Sequence, residues 1–317
     1  RLLDDTSLAT RVFSAVFAER KVAHAVEPAL VPLLYDPDVA GTTVVFVPGR
    51  YDELFDHEMF TRGMRAVRER LGVRMLTVPM DGRCGAPVNA ARIAAHLRLD
   101  IRRRLERGYS APRYLIIGYS KGGVDATEAL ALAPGLTRAH VAAFVTIGTP
   151  HRGTVVAERS EVPTSFVNWT VPAPMPAGCD STSASESLWP ATRSAFWAAQ
   201  DNGRAISALT RFFSVSLAID AEHSHPWMKI TKQIGQFQEP NDGVVSVSAS
   251  RFPKPVRAVD LGVVEADHIL GRLASSFPQD AFLEALIVTI AELGALEPGS
   301  GESWREMLAS REGGGLW

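Results

Sequence analysis

The sequence feature that most constrains the fold is a serine placed between a strand-like and a helix-like segment. Residues 114–119 (YLIIGY) are apolar or aromatic apart from one glycine, and a helix-forming stretch runs from Lys121 to Leu130. Small residues stand two positions before and two after Ser120, which lets strand and helix approach closely around a strained turn. The helix N-terminus behind the serine favours developing negative charge. The segment therefore predicts strand, sharp turn and helix with a nucleophilic hydroxyl at the apex, the alternative being an ordinary Gly/Ser turn.

Strands and helices alternate on both sides of this turn. Buried strands are predicted at 42–47, 73–78 and 141–147, and helices at 54–71 and 88–107. The alternation predicts the α/β fold class, with a mostly parallel central sheet and helices on both faces. Further elements are predicted as a helix at 6–26, strands at 211–219 and 256–259, and a helix at 280–293. Ligands bind beyond the carboxyl ends of the strands in such sheets, so the site is expected on the rim that holds Ser120.

A compositional change near Thr154 predicts an inserted cap. Residues 154–205 contain five prolines, a Ser/Thr-rich patch and five large aromatic residues, which is long for a loop between sheet elements. We therefore predict a core formed by 1–153 and 206–296, a cap or lid at 154–205 that follows the strand after the nucleophile helix, and a loosely attached tail at 297–317. The cap aromatics have two interpretations, the cap's own small core and a substrate-facing surface, and we predict both.

Charge and hydropathy exclude some partners. The formal net charge is −2, so no strong field favours nucleic acid or an anionic membrane surface. The arginine-rich run between 98 and 107 is interpreted as the wet face of a helix. No window reaches the roughly 18 uninterrupted apolar residues of a membrane span. No signal peptide is visible, but the sequence does not start with Met, and the compartment stays open.

The two cysteines do not fit a metal site. Cys84 and Cys179 match no ligand spacing, and no metal is expected. We expect two free thiols, the alternative being a bridge that would tether the predicted cap.

The serine needs a base, because a hydroxyl is a poor nucleophile at neutral pH. Among eight histidines, His268 is favoured because it follows the last strand in a short loop. His151 is on the same rim but only three residues beyond a strand, and it is interpreted as a turn residue that bonds local backbone.

The base in turn needs an orienting acid. Asp242 is favoured because it follows the strand at 211–219 and precedes a glycine in a turn signature. Asp260 is the second choice. Asp267 is weaker because it adjoins His268, and neighbouring side chains usually diverge. The order serine, aspartate, histidine matches one known hydrolase architecture.

With these motifs the chain resembles the α/β-hydrolase fold, and within it the bacterial lipases and related esterases. The resemblance covers about Thr42 to Leu293 and rests on GYSKG, on GTPHRG after the next strand, on NDGVV at the acid and on DH before the final helix. It implies that Ser120 is the nucleophile, Asp242 the acid and His268 the base. It also implies that the oxyanion donors are the backbone N–H groups of Lys121 and Arg50. Many lipases carry His-Gly where this chain has Pro48-Gly49, which keeps the backbone donor but removes a side chain that can brace the loop.

The resemblance implies a carboxylic ester hydrolase that needs no cofactor. Its expected substrate is a small-molecule or lipid-like ester, with transient contact to a lipid surface as a further expectation. The residues expected to contact substrate are aromatic, namely Tyr51, Tyr119, Trp169, Trp189 and Trp197. Three alternatives stay open: an acyltransferase or thioesterase with the same triad, a peptidase, for which no charged pocket is visible, and a non-catalytic binding protein on a hydrolase scaffold.

Overall fold

A seven-stranded sheet lies at the centre of the computed structural model, which describes residues 2–3, 8–26, 41–50, 52, 59–159, 176–199, 202–272 and 275–296. The strands are β1 (Leu2–Leu3), β2 (Thr42–Val47), β3 (Arg74–Thr77), β4 (Arg113–Tyr119), β5 (Val141–Ile147), β6 (Arg211–Ala218) and β7 (Ala258–Glu265). Their order is β1-β7-β6-β5-β4-β2-β3, and every pair from β7 to β3 is parallel, whereas β1 is antiparallel to β7. This sheet confirms the predicted α/β class with a mostly parallel sheet.

The central strands are buried along their whole length. Every residue of β2 and of β5 is buried, which agrees with their uncharged, β-branched sequences. In register, Val44 of β2 pairs with Leu115 of β4, and Ile117 of β4 pairs with Val145 of β5. Both strands have the predicted bounds. Their sequences are apolar on both faces, and helices cover the sheet on both sides.

Helices surround the sheet. They are α1 (Leu8–Val26), α2 (Thr61–Leu71), α3 (Ala86–Glu106), α4 (Lys121–Leu132), α5 (Pro134–His140), α6 (Val155–Arg159), α7 (Ser181–Glu186), α8 (Pro190–Ala198), α9 (Asn202–Ser207), α10 (Pro226–Gly235), α11 (Val247–Ser250) and α12 (Gln279–Glu292). One apolar core joins the sheet to α1, α2 and α12, and a second core on the other face joins it to α3, α4, α8 and α9. Among the described helices, none combines the length and the apolar character needed to cross a membrane.

Several predicted element bounds need correction. The predicted strand at 256–259 corresponds to β7, which begins at Ala258 and continues to Glu265. Gly262, with φ 99°, lies within the strand at the place where α1 approaches. A Cβ at Gly262 would lie 2.7 Å from the Thr10 methyl carbon, so the glycine permits this packing instead of ending the strand. The predicted helix at 54–71 begins at Thr61, and residues 53–58 lie outside the described chain.

A disulfide joins Cys84 to Cys179, so the expectation of two free thiols is wrong. The two Cα atoms are 4.4 Å apart although the residues are 95 positions apart in sequence. Next to the bridge, the Ala86 N–H donates to Ser187 Oγ over 2.8 Å. The start of α3 is therefore joined, covalently and by hydrogen bonding, to the segment around α7.

Helix α8, within the predicted cap, is bound to the nucleophile helix by a buried ion pair. Arg193 of α8 is fully buried, and its Nη1 lies 2.5 Å from Oε1 of Glu128 in α4. The guanidinium also lies over the Phe196 ring at 4.4 Å. The described part of 154–205 thus packs onto the core, while residues 160–175 and 200–201 lie outside the described chain. A separate, moving lid stays a prediction.

Candidate active site

Ser120 occupies a strained turn at the junction of β4 and α4. Its backbone angles are φ 52° and ψ −128°, outside the regions that non-glycine residues normally adopt. The Ser120 N–H donates to the Ile147 carbonyl of β5 over 2.9 Å, which fixes the turn to the neighbouring strand. The predicted strand, turn and helix are present, with the serine at the apex.

Two glycines permit this turn, because backbone atoms lie where their side chains would be. A Cβ at Gly118 would be 2.5 Å from the Gly123 Cα, and a Cβ at Gly122 would be 2.2 Å from the Pro48 carbonyl oxygen. Strand β4, helix α4 and the loop after β2 therefore meet at van der Waals distance around Ser120.

A continuous hydrogen-bonded chain links the serine to a histidine and an aspartate. Ser120 Oγ lies 2.7 Å from His268 Nε2, and His268 Nδ1 lies 2.6 Å from Asp242 Oδ2. All three side chains are buried, and Asp242 is fully so. With a proton on Nδ1 donated to the carboxylate, Nε2 is free to accept the serine proton. The structure thus brings together the three residues that the sequence favoured, from three separate parts of the chain.

The Asp242 carboxylate is held by its own turn. Its Oδ1 accepts the N–H groups of Val244 and Val245 over 2.9 and 2.7 Å, which leaves Oδ2 for the imidazole. The Asp242 carbonyl accepts the His268 N–H over 2.9 Å, so backbone and side chain both join the two loops. Gly243, with φ 102°, allows the chain to turn around the carboxylate.

The alternative acids have other partners. Asp260 pairs with Arg251 at 2.6 Å and accepts the Gly262 N–H over 2.9 Å. Asp267 accepts the backbone N–H groups of His225 and Ile269 over 3.0 and 3.1 Å. Each carboxylate has partners of its own, and neither forms a described contact with the imidazole.

His151 is a buried packing residue. Its Nε2 lies 3.0 Å from Thr146 Oγ1, and its ring stacks on Phe252 with the centroids 3.7 Å apart. His151 lies in the predicted turn, where its backbone N–H donates to the Thr149 carbonyl over 2.9 Å, but its ring bonds a side chain and not the local backbone. Burial holds the pKa of His151 well below its ordinary value, and the charge of Arg193 acts in the same direction.

The two expected oxyanion donors border the serine. Lys121 is the first residue of α4, and its ammonium is buried and lies 2.7 and 2.8 Å from the two oxygens of Asp125. Burial raises the pKa of Asp125, while Lys121 opposes the shift. Arg50 follows Gly49, where a Cβ would lie 3.0 Å from the Ser120 Cβ. The roles of both backbone N–H groups stay predictions.

Tyr119 lies beneath the imidazole, which corrects its predicted contact with substrate. The side chain is buried, its hydroxyl donates to the His268 carbonyl, and its ring stacks on the imidazole at 5.6 Å. Burial raises the pKa of Tyr119 well above its ordinary value, and the carboxylates of Asp242, Asp267 and Asp52 add to the shift. Sequence reasoning missed this support because it joins residues 149 positions apart.

Two of the described tryptophans, Trp189 and Trp197, pack against the core, whereas Trp227 is exposed. Trp197 is buried, and its Nε1–H donates to the His151 carbonyl over 2.7 Å, which argues against its predicted contact with substrate. Trp189 is half-buried and donates to the Ala157 carbonyl over 3.2 Å. Tyr51 and Trp169 lie outside the described residues. Across the part of the chain that the structure describes, no group of three or more His, Cys, Asp or Glu side chains is arranged to hold a metal ion.

Comparison with solved structures finds esterases and lipases of the same fold. The chain is similar to a carboxyl esterase of metagenomic origin, with a TM-score of 0.70 and 23% identity over 92% of each chain. It is also similar to a lipase from Bacillus licheniformis in its mature form, with a TM-score of 0.60 and 21% identity over 82% of this chain and 95% of that one. A phospholipase from Legionella pneumophila gives a TM-score of 0.53 and 12% identity over 86% of this chain and 63% of that one.

No protein-family model matches the chain, and a comparison with curated proteins finds no match. At the identities found, the structural likeness shows the fold: the chain has the α/β-hydrolase fold, and its structural neighbours are carboxylesterases and lipases.

Proposed function

We propose that this protein is a serine carboxylic ester hydrolase that acts through an acyl-enzyme on an ester with an apolar acyl group. The observation that carries the proposal is the hydrogen-bonded chain from Ser120 through His268 to Asp242, with distances of 2.7 and 2.6 Å. These three side chains lie beyond the carboxyl ends of parallel strands, where sheets of this kind bind ligands. The esterase and lipase neighbours support the same class of reaction.

The first half of the reaction acylates the serine. Ser120 Oγ attacks the ester carbonyl carbon while its proton passes to His268 Nε2, and the carbonyl electrons move to the oxygen. The N–H groups of Lys121 and Arg50 stabilise this oxyanion, each contributing about 3 kcal/mol in enzymes of comparable mechanism. Asp242 stays ionised and stabilises the imidazolium. The carbon–oxygen bond to the alcohol then breaks as His268 returns the proton to the leaving oxygen.

The second half releases the acid. Water attacks the acyl carbon and gives a proton to His268, and a second oxyanion collapses to expel Ser120, which recovers its proton from the imidazolium. The carboxylic acid leaves, and the protein is unchanged. The same residues would serve if an alcohol replaced water as the acceptor, or if a thioester replaced the ester as the substrate. Identification of the acceptor and of the leaving group therefore distinguishes these reactions.

The test is a Ser120→Ala variant assayed with a short p-nitrophenyl ester. We expect turnover to be lost while the circular dichroism spectrum and Tm stay as in the wild type, and a fluorophosphonate probe to label only the protein that retains Ser120. Ser14→Ala is the matched control, since Ser14 Oγ donates only to the Thr10 carbonyl of its own helix. Ester turnover retained in Ser120→Ala contradicts the proposal.

A chain-length series then identifies the substrate class. With p-nitrophenyl esters of increasing acyl length, a kcat/KM that peaks at long chains indicates a lipase, and one confined to acetate indicates an esterase for small esters. Two further assays separate the alternatives. An ester product formed in the presence of a second alcohol indicates an acyltransferase. Faster turnover of a thioester than of the matching ester indicates a thioesterase.

A further inference from the structure

Helix α10 packs against the turn that carries Asp242. A Cβ at Gly243 would lie 2.9 Å from the Met228 Cβ, so the helix and the turn are in direct contact. Met228 is buried, and Lys232 stands one helical turn later on the same face. The inner face of α10 therefore presents one apolar and one cationic side chain to the turn.

The Lys232 ammonium joins two separate segments of backbone. Its Nζ donates to the Ile219 carbonyl over 2.5 Å and to the Asn241 carbonyl over 3.2 Å. Ile219 directly follows β6, and Asn241 directly precedes Asp242. The Ile219 N–H also donates to the Asn241 carbonyl over 3.1 Å. The turn is thus attached to the end of β6 by one backbone hydrogen bond and by the lysine.

Carboxylates surround this ammonium. Burial lowers the pKa of Lys232, and the negative charges of Asp242, Asp220 and Asp267 act in the opposite direction. The charged and titratable groups that face the Asp242–His268 pair or its immediate supports are Asp52, Tyr119, Asp220, His225, Lys232, Asp267 and Arg272. Three of these seven groups are carboxylates. Of the two cationic side chains, Arg272 contacts His225, whereas Lys232 contacts the residue before Asp242.

We propose that Lys232 is a positioning residue for the Asp242–His268 pair: it fixes the Asp242 turn to β6 and supplies positive charge beside the carboxylate. The inference rests on the proposed function, because it assigns Lys232 to the support of the same three residues. Lys232 does not touch Ser120, so it acts through the turn and through its charge. Neither the serine motif nor the resemblance pointed to this residue.

Replacing the lysine removes both effects. In Lys232→Met the Ile219 and Asn241 carbonyls lose the lysine donor, the Asn241 carbonyl keeps only the Ile219 N–H, and the turn loses an anchor. Misplacement of the carboxylate is expected to lower kcat roughly tenfold with KM within about twofold of the wild type. Without the positive charge the protonated imidazole is favoured, and this form cannot accept the serine proton. The acid limb of the kcat/KM profile is therefore expected to move to higher pH by about half a unit.

Three further variants separate charge, hydrogen bonding and general helix effects. Lys232→Arg keeps the charge and the donors and is expected to restore the wild-type pH profile. Lys232→Gln keeps donors without charge, and it should shift the acid limb with a smaller loss of kcat. Lys229→Met is the matched control, since Lys229 is exposed on the same helix and donates only to the Glu222 carbonyl over 3.1 Å. If Lys232→Met does not fold, the acid limb of Lys232→Gln decides.

A measurement without substrate keeps this inference distinct from the proposed function. The His268 ring resonances, assigned with a His268→Gln variant, are followed against pH by NMR in the wild type, Lys232→Met or Lys232→Gln, and Lys229→Met. A titration midpoint that moves upward only in the Lys232 variants supports the inference even if no ester is hydrolysed. The inference is overturned if the midpoint and the acid limb of the folded Lys232 variants match those of Lys229→Met.

Discussion

The hydroxyl of Tyr119 donates a hydrogen bond to the backbone carbonyl of His268. The residue before the candidate nucleophile thereby holds the loop of the candidate base, and its ring lies 5.6 Å from the imidazole at an interplanar angle of 28°. Strand β4 thus positions two members of the proposed triad, Ser120 by the chain itself and His268 through the neighbouring side chain.

Tyr119→Phe tests this support. The change leaves a buried carbonyl without its donor, which typically costs about 1–3 kcal/mol. We expect a lower Tm and a kcat for p-nitrophenyl ester hydrolysis reduced about three- to tenfold, with KM little changed. Tyr114→Phe is the control, because Tyr114 lies on the same strand and its buried hydroxyl donates to Asp100 of α3 over 2.9 Å. It should lower Tm without lowering kcat, and equal losses of kcat in both variants would refute a specific role for Tyr119.

Gly122→Ala tests the close approach at the nucleophile turn. The added methyl carbon would lie 2.2 Å from the Pro48 carbonyl oxygen and 2.3 Å from that of Val47, so backbone must move. We expect loss of most ester hydrolysis and a Tm lower by several degrees, corresponding to about 2–4 kcal/mol. Gly135→Ala, where nothing lies within 4 Å, should be neutral or stabilise α5 by about 0.5–1 kcal/mol. Wild-type kcat in Gly122→Ala would show that this contact is dispensable.

Reduction of the Cys84–Cys179 disulfide should lower the stability of the protein. Closing a loop of 95 residues restricts the unfolded chain, and removal of such a bridge typically costs about 2–5 kcal/mol. We expect urea denaturation to show a lower midpoint in dithiothreitol, and the Cys84→Ala/Cys179→Ala variant to match the reduced wild type. Dithiothreitol should not shift the double variant further. An identical midpoint for oxidised and reduced wild type would contradict the prediction.

Glu284 makes the stability of the helical layer sensitive to acid. The side chain is fully buried in α12 and accepts hydrogen bonds from Arg20 and His24 over 2.9 and 2.7 Å and from Arg70 over 2.9 Å. Burial alone would raise the pKa of Glu284, but the hydrogen bond from His24 and the charges of Arg70 and Arg20 lower it below its ordinary value. Its stabilisation is therefore present above the carboxyl pKa of the unfolded chain and is lost as pH falls through the folded value, that is, below about pH 5.

Glu284→Gln should cost about 3–5 kcal/mol at neutral pH, because it removes the buried negative charge that Arg20 and Arg70 pair with. Urea denaturation from neutral pH to pH ~4 should then show a gap between wild type and variant that narrows as the pH falls. Glu222→Gln, at an exposed position, should track the wild type within about 0.5 kcal/mol. A gap that widens in acid would contradict the assigned direction.

The features that could be predicted from the sequence depend on short stretches of chain. The turn at Ser120 is specified by five consecutive residues, and β2 and β5 are specified by apolar runs with glycine or proline nearby. Asp242 and His268 were favoured because each follows a strand that reaches the rim of the sheet, and the structure brings both to Ser120. Their catalytic roles stay predictions until activity is measured.

The features that could not be predicted join distant residues. Cys84 and Cys179 carry no local sign of pairing, and the Tyr119 hydroxyl meets a carbonyl 149 positions away. The role of helix α10 could not be predicted from its sequence, because its outer face is polar or exposed. Its inner face is covered by the Asp242 turn, and only the structure shows this contact. The disulfide and the Tyr119 contact each join residues too far apart for one window of sequence to contain both partners.

The covalent ring closed by the disulfide runs from residue 84 to residue 179. The ring includes Ser120, whereas Asp242 and His268 both lie in the part of the chain that follows residue 179. A nick between 180 and 241 would therefore leave the hydroxyl on one covalent piece and the acid and base on another. Only non-covalent contacts would then keep the pieces together. For a nick before β6, these include the pairing of β5 with β6, where Phe144 pairs with Phe212, and the packing of α12 against α1 and α2. Reconstitution from two such fragments would depend on these contacts, whatever the state of the sulfurs.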